Sequence, residues 1–310
     1  MNPSRIHDVV IAGGGPAGLS AALLLGRYMR DTVLCEPEGR EVDAASSTGC
    51  FLGHDGCLPA DLLRMGREQV AKFESVTRMD AAVSDIQRTL TGFTVMCGDG
   101  TRLETRSVLV VPKSVSLMPD IDGAQDFIGS SVHQFPCGDG WDHQGQKLGV
   151  VGCDDSDAEL ATKLLVWSPH VTLFCHGRSL STHSRQMLAE KRILIETRAI
   201  AGLNGRDGRL QSVRLEDGST MPCEALFHTA SEPQHSRLAT RLGCDARRLR
   251  PGDAWQPDGG CGVQGAFFAG NPFKTPELAI IAAADGVKAA EEVNRWLSDA
   301  QRSYLAVRSA

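Results

Sequence analysis

Residues 13–18 read Gly13-Gly14-Gly15-Pro16-Ala17-Gly18, directly after the apolar run Val9-Val10-Ile11-Ala12 and directly before an apolar helical stretch. This is a G-x-G-x-x-G in the strand-to-helix context that a dinucleotide fingerprint requires. The chemistry is phosphate binding by backbone. Gly13 permits the tight turn, Gly15 lets a pyrophosphate approach the main chain, and Gly18 lets the helix pack on the strand, whose amides and dipole favour the phosphate charge. Pro16 and Ala17 complete the loop, and Glu36 ends the next strand at about the distance of an acidic residue that bonds a ribose hydroxyl. Thiols are the other reactive type: ten cysteines, at 35, 50, 57, 97, 137, 153, 175, 223, 244 and 261, no two of them forming C-x-x-C. Most are expected as buried thiols used as small apolar residues. Neither they nor the nine histidines recur at zinc-ligand spacing, so no metal is expected.

The elements that must position the glycine loop are a strand over His7–Ala12, a helix over Leu19–Arg30 and a strand over Thr32–Glu36, a βαβ unit. Pro59–Phe73 reads as a helix opened by proline, and Ala82–Arg88, Gly92–Cys97 and Thr101–Val111 as a β-meander. A second βαβ starts with Lys147–Val151, Ser156–Val166 and Val171–Cys175. Strands follow at Ile193–Ile200, Gln211–Leu215 and Ala225–Thr229, with turns at Asn204–Gly208 and Asp217–Gly218. A short strand Ala266–Ala269 and a helix Leu278–Leu297 close the pattern, and the tail from Ser298 has no assignment. The fold class is α/β.

At 310 residues the chain exceeds the roughly 100–200 of one ordinary domain. With 42% hydrophobic and 23% charged residues it is neither disordered nor a coiled coil. A formal charge of -6 supplies no global basic field, which argues against nucleic acid or an anionic membrane as partner. No apolar run approaches the roughly 20 residues of a membrane span, and the polar start leads straight into a strand, so a cytoplasmic protein is expected.

The C-terminal segment Ala266-Phe267-Phe268-Ala269-Gly270-Asn271, followed by Ala282-Ala283-Ala284-Asp285-Gly286, resembles the second FAD motif of flavoproteins with two dinucleotide domains. With both ends in place the chain resembles the low-molecular-weight thioredoxin reductases over nearly its full length. More narrowly it is similar to the branch that includes the dithiol oxidases of gliotoxin- and holomycin-type biosynthesis. Phe51-Leu52-Gly53-His54-Asp55-Gly56, Leu117-Met118-Pro119-Asp120-Ile121-Asp122-Gly123 and Asp139-Gly140-Trp141 carry the likeness together with the glycine motifs. The resemblance implies two Rossmann-like dinucleotide-binding domains, three-layer ββα. A discontinuous FAD domain (1–116 and 239–310) is interrupted by an NADPH-binding-like domain (117–238), usually in a homodimer. It implies FAD held by Gly13, Gly15, Pro16, Ala17, Gly18, Glu36, Gly270, Asn271 and Ala279.

Several positions depart from that family. Its redox centre is C-x-x-C before Asp-Gly; here Phe135 and Gly138 occupy the cysteine positions and Cys137 lies between them. One thiol cannot both attack a disulfide and resolve the product, so thioredoxin reduction is not expected. Cys137 either faces the flavin as a lone thiol or is buried structurally. The second glycine turn reads Val151-Gly152-Cys153-Asp154-Asp155-Ser156, with a carboxylate where pyrophosphate should approach. His176-Gly177-Arg178 resembles a reduced form of the cluster that holds the NADPH 2'-phosphate, so NADPH binding is doubtful. Val111-Pro112-Lys113 replaces a common Ala-Thr-Gly, and Asn271 replaces an aspartate.

A retained flavin with a decayed dithiol and hydride-donor site points to an oxidase of a small organic substrate with O2 as acceptor, in secondary-metabolite biosynthesis by resemblance. The resemblance places His54 and Asp55, His133, Cys137 and Asp139 near the flavin as candidate catalytic groups. The duller readings are loop hydrogen-bonders for His54 and Asp55, a surface or interface residue for His133 and a turn residue for Asp139. Lys274 and Glu277 are further candidates to grip substrate. An NADPH-dependent flavin reductase and a non-catalytic FAD-stabilised partner protein stay open as alternatives.

Overall fold

The computed structural model describes residues 5–37, 48–111, 120–134, 136–229, 237–243, 262–270 and 278–308, without the side chains of residues 137, 237 and 301–308. In chain order the elements are β1 (Ile6–Ala12), α1 (Pro16–Arg27), β2 (Thr32–Cys35), α2 (Pro59–Val70), β3 (Val76–Met79), β4 (Val83–Arg88), β5 (Phe93–Cys97) and β6 (Arg102–Val110). Then follow β7 (Val132–His133), α3 (Pro136–Asp139), β8 (Leu148–Val151), α4 (Asp155–Leu164), β9 (Val171–Phe174), α5 (Thr182–Glu190), β10 (Leu194–Glu196), β11 (Ile200–Arg206), β12 (Arg209–Leu215), β13 (Thr220–Pro222) and β14 (Ala225–His228). The chain closes with α6 (Arg237–Arg241), β15 (Ala266–Phe268) and α7 (Ala279–Arg308). Two compact units result: Met1–Glu41, Ala60–Ser114 and Pro233–Ala310 form the first, Val42–Pro59 and Val115–Glu232 the second.

In the first unit β3, β2, β1 and β6 pair in parallel in that order, and β15 joins β6 in parallel along Val108–Val110. The earlier half of β6 instead pairs antiparallel with β5, which carries β4. Residues of one parity, Val9, Ile11, Leu34, Leu109 and Phe267, face Ala22 and Leu25 of α1 and Ala289 and Val293 of α7. The other parity, Val10, Val33, Val108 and Phe268, faces Phe93, Val95 and Leu103 of the meander. Strands buried on both faces must be apolar throughout, which is why these segments lack polar alternation. The layers are helix, parallel sheet, meander.

The second unit repeats the plan. Its parallel sheet runs β10-β9-β8-β14-β7. Leu148, Val150, Leu173 and Phe227 pack on α4 and α5 residues such as Ala161, Leu164 and Leu188. Val151, Phe174 and Leu226 pack on Ile200, Leu203 and Val213 of the antiparallel sheet β11-β12-β13. Both units are therefore three-layer ββα, in an α/β fold. Residues 48–58 group with the second unit, although they precede position 116.

Some elements differ from the sequence reading. The strand expected over Ile193–Ile200 is two, β10 and the start of β11. The turn expected from Asn204 narrows to Asp207 and Gly208, both with positive φ, as a two-residue hairpin demands. β3 and α5 stand where no element was expected, and α7 runs on to Arg308 through the unassigned tail.

Candidate functional site

The first crossing is the turn from β1 into α1. Gly13 sits at φ +124, and a Cβ there would lie 2.7 Å from the Val111 carbonyl oxygen. A Cβ on Gly18 would lie 1.8 Å from the Gly13 carbonyl oxygen. Both positions are thus closed to a side chain, whereas at Gly15 a Cβ would meet nothing within 4 Å. That open face is where a ligand group could approach the backbone. Gly15 caps α1 with no side-chain hydrogen bond, Pro16 opens the helix, and its first turn holds no acidic residue. The first internal bond is donated by Leu19 N to Gly15 O (2.9 Å), leaving the earlier amides and the positive end of the dipole directed outward.

The chain's other end reaches the same turn. Gly270, at φ +80, points its Cβ direction at Ala17 Cβ, 3.9 Å away, and a Cβ on Gly286 of α7 would lie 2.0 Å from the Ala17 carbonyl oxygen. Ala17 is therefore gripped by both C-terminal motifs, with Ala279 at the first residue of α7. Glu36 follows β2, is 7% exposed, and accepts a bidentate bond from Arg67 of α2, with Arg78 4.0 Å away. The sequence reading missed Arg67, since nothing in its spacing marks it. A carboxylate has capacity beyond one guanidinium, so Glu36 keeps acceptor sites for a hydroxyl. Asn271, Phe135, Pro112, Lys113, Lys274 and Glu277 lie outside the described residues.

The second crossing, from β8 into α4, has the same topology and the opposite lining. Asp154 caps α4, its Oδ1 accepting from Asp157 N at 3.0 Å, while Asp157 Oδ2 accepts from Asp154 N at 3.0 Å, a reciprocal capping box. Ser156 Oγ donates to Asp154 Oδ1 (2.6 Å) and Thr229 Oγ1 to Asp157 Oδ1 (2.5 Å). Asp155 Oδ1 accepts from Ser181 and Ser184 hydroxyls at 2.9 and 2.5 Å. A Cβ on Gly152 would lie 2.0 Å from the Asp157 carboxyl, so that carboxyl fills the space above the turn. Burial works against the Asp154 charge, but the bonds from Ser156 and Asp157 outweigh it and hold the carboxyl below its usual value. Burial dominates at Asp157 and raises it. His176 Nδ1 accepts from Ile200 N at 3.0 Å, which ties this histidine to the backbone.

The candidate catalytic residues all belong to the second unit. Residues 48–57 form a closed loop: Gly56 N donates to Thr48 O (2.9 Å), His54 N to Phe51 O (2.8 Å) and Cys50 N to Asp55 Oδ1 (2.7 Å). Asp55 is thus an exposed turn acceptor, and the half-buried His54 lies 5.9 Å from the Phe51 ring. This loop meets α3, where a Cβ on Gly49 would stand 2.8 Å from Gly138 Cα. The structure places Cys137 within α3.

His133 is buried, contrary to a surface position, and so is Asp139. His133 Nδ1 faces Asp139 Oδ2 at 3.4 Å without a hydrogen bond, and His133 Nε2 lies 2.9 Å from His143 Nε2. His143 Nδ1 in turn lies 2.8 Å from Gln146 Oε1. Phe227 stacks near both rings. Burial pushes the His143 imidazole below its ordinary value. His133, His143 and Gln146 form a hydrogen-bonded row beside the Asp139 carboxylate, and of these four only His133 and Asp139 stood out in the sequence. Among the described residues no group of three or more His, Cys, Asp or Glu is arranged for a metal ion, and no helix is long and apolar enough to cross a membrane.

The family model described as pyridine nucleotide-disulphide oxidoreductase matches residues 7–286, which includes both crossings. The chain belongs to that family. It is 28% identical to a thioredoxin reductase of Mycolicibacterium smegmatis over 95% of this chain and 97% of that protein. It is 27% identical to the thioredoxin reductase tcpT of Claviceps purpurea, over 87% and 88%. Among solved structures, HlmI superposes with a TM-score of 0.89 at 30% identity, covering 100% of this chain and 98% of that one. These relatives include the thioredoxin reductase-like proteins that the sequence motifs resemble, and the chain is an oxidoreductase of that family.

Proposed function

We propose that this family member is an FAD-dependent oxidoreductase that takes electrons directly from a small organic substrate and passes them to O2, without NADPH and without a redox dithiol at 135–138. The observation that carries the reading is the carboxylate filling of the second crossing. A nicotinamide dinucleotide would have to bring its pyrophosphate to an α4 N-terminus already capped by Asp154 and Asp157, against both their charge and their bulk.

The first crossing fits FAD. Its uncapped helix end, the open space over Gly15 and the approach of Gly270 to Ala17 leave a backbone cradle that any Cβ at Gly13 or Gly18 would close. Gly13, Gly15, Pro16, Ala17 and Gly18 would hold the pyrophosphate, Glu36 a ribose hydroxyl, and Gly270, Asn271 and Ala279 the far end. When bound, the flavin supplies the two-electron acceptor. The chain's own residues then have to orient the substrate and remove a proton, a role proposed for His133 and Asp139, whose Nδ1 and Oδ2 lie 3.4 Å apart in the second unit. His54 and Asp55 retain the loop roles described above. A biosynthetic tailoring role and a homodimer belong to the same proposal, from the resemblance to the branch with the dithiol oxidases.

Anaerobic rapid mixing of the purified flavoprotein with NADPH tests this. The flavin absorbance is expected to stay oxidised. Rapid bleaching would overturn the reading in favour of an NADPH-dependent flavin reductase, and a flavin that no small molecule reduces, in a stable complex with another protein, in favour of a non-catalytic partner.

A further inference from the structure

Outside the two crossings' polar groups, the second unit brings two thiols together. Cys175 directly follows β9, and Cys153 follows β8 by one residue. β8 and β9 are parallel neighbours with Val151 opposite Phe174, and Gly152 N donates to Phe174 O at 3.1 Å. Straight continuation would place Cys153 and Cys175 on opposite faces of the sheet. Gly152, at φ +157, turns the chain instead, and both thiols end on the α4 and α5 side, in the same apolar cluster. With Val151 opposite Phe174, Cys153 lies one residue past the partner of Cys175, and the two thiols are within hydrogen-bonding reach of each other, the neighbourhood a disulfide needs.

We propose that Cys153 and Cys175 form a two-electron redox site that closes to a disulfide on reaction with a hydroperoxide. The roles differ. Cys153 is half-buried and Cys175 buried, so peroxide reaches Cys153 first. Burial and the neighbouring Cys153 push the Cys175 thiol up to about 12, keeping it protonated, while Arg185 and Arg178 bring positive charge toward the pair. The Cys153 sulfur attacks the peroxide; an S–O bond forms, the O–O bond breaks, and water leaves. The Cys175 sulfur then attacks the resulting sulfenic acid; the S–S bond forms, the S–O bond breaks, and hydroxide departs with the Cys175 proton as a second water. Two thiols lose two electrons and hydrogen peroxide gains them. The site is independent of the flavin reading, because added peroxide suffices.

The first unit supplies an internal control. Cys35 and Cys97 are also adjacent, in the meander interface, but both are buried. The experiment treats the full chain with stoichiometric hydrogen peroxide, blocks free thiols with iodoacetamide, and maps unreduced peptides by mass spectrometry. The expected result is one cross-linked peptide joining Cys153 to Cys175, two hydrogens lighter than its parts and lost after dithiothreitol. In Cys175→Ser, Cys153 is expected to trap as a dimedone-reactive sulfenic acid, and in Cys153→Ser the Cys175 thiol is expected to stay unlabelled. Recovery of Cys153 as free thiol or as sulfinic acid without a link to Cys175, or a Cys35–Cys97 link in its place, overturns the proposal. The wild-type map decides even where a variant does not fold.

Discussion

The two β-to-α crossings share topology and differ in what satisfies the helix end. At α1 the helix end carries no side-chain cap and the space over Gly15 is open, with the Glu36 carboxyl packed against Gly14. At α4 the Asp157 amide is bound by the Asp154 carboxylate and the Asp154 amide by the Asp157 carboxylate. An uncapped crossing keeps its amides available to a phosphate, whereas a carboxylate cap competes for them. The same local stabilisation that makes α4 a well-formed helix removes the donors a phosphate would use.

Transplanting the carboxylate breaks this comparison most directly. In Gly15→Asp the side chain enters open space, so the fold should survive, but flavin occupancy after purification is expected to fall at least tenfold, or about 1.4 kcal/mol. Unchanged absorbance would sink the idea that this backbone face receives phosphate. The reverse graft is next in size: Cys153→Gly with Asp154→Gly and Asp157→Ala should raise NADPH affinity several-fold, read by fluorescence titration. A smaller effect separates capping from binding. Asp154→Ala alone should cost about 1 kcal/mol, read as a lower denaturant midpoint, with flavin content unaltered.

The smallest concerns the buried histidines. Because burial lowers the His143 imidazole in the folded state, the unfolded chain binds the proton more readily. His143 therefore favours folding above the unfolded value of about 6.5, and that contribution is lost as pH falls below it through the folded value. His143→Gln, facing His133, Asp139 and Gln146, should flatten this dependence in denaturant melts at pH 5 to 7. An undiminished slope would assign the sensitivity elsewhere.

The first crossing was legible because tight turns admit only glycine, so backbone geometry is written directly in residue type. At the second, the charge of Asp154 was readable as hostile to phosphate. The reciprocal bond from Asp157 went unread, although Asp154-x-x-Asp157 has capping-box spacing. Helix α5 was missed because it buries only Ser184 and Leu188 and shows no apolar stripe. β3 was missed because its residues are half-buried or exposed at a sheet edge. His143 joins His133 through tertiary packing across ten positions, and no periodicity reports that.

The seating of Gly286 against Ala17 has a consequence for biogenesis. A ribosome makes the glycine loop at residues 13–18 well before the helix that grips it, α7 at Ala279–Arg308. Residues 115–232 are all released before then, so this turn waits for α7 before it matures, and shortened transcripts ending before α7 are expected to yield a polypeptide that does not retain the proposed flavin.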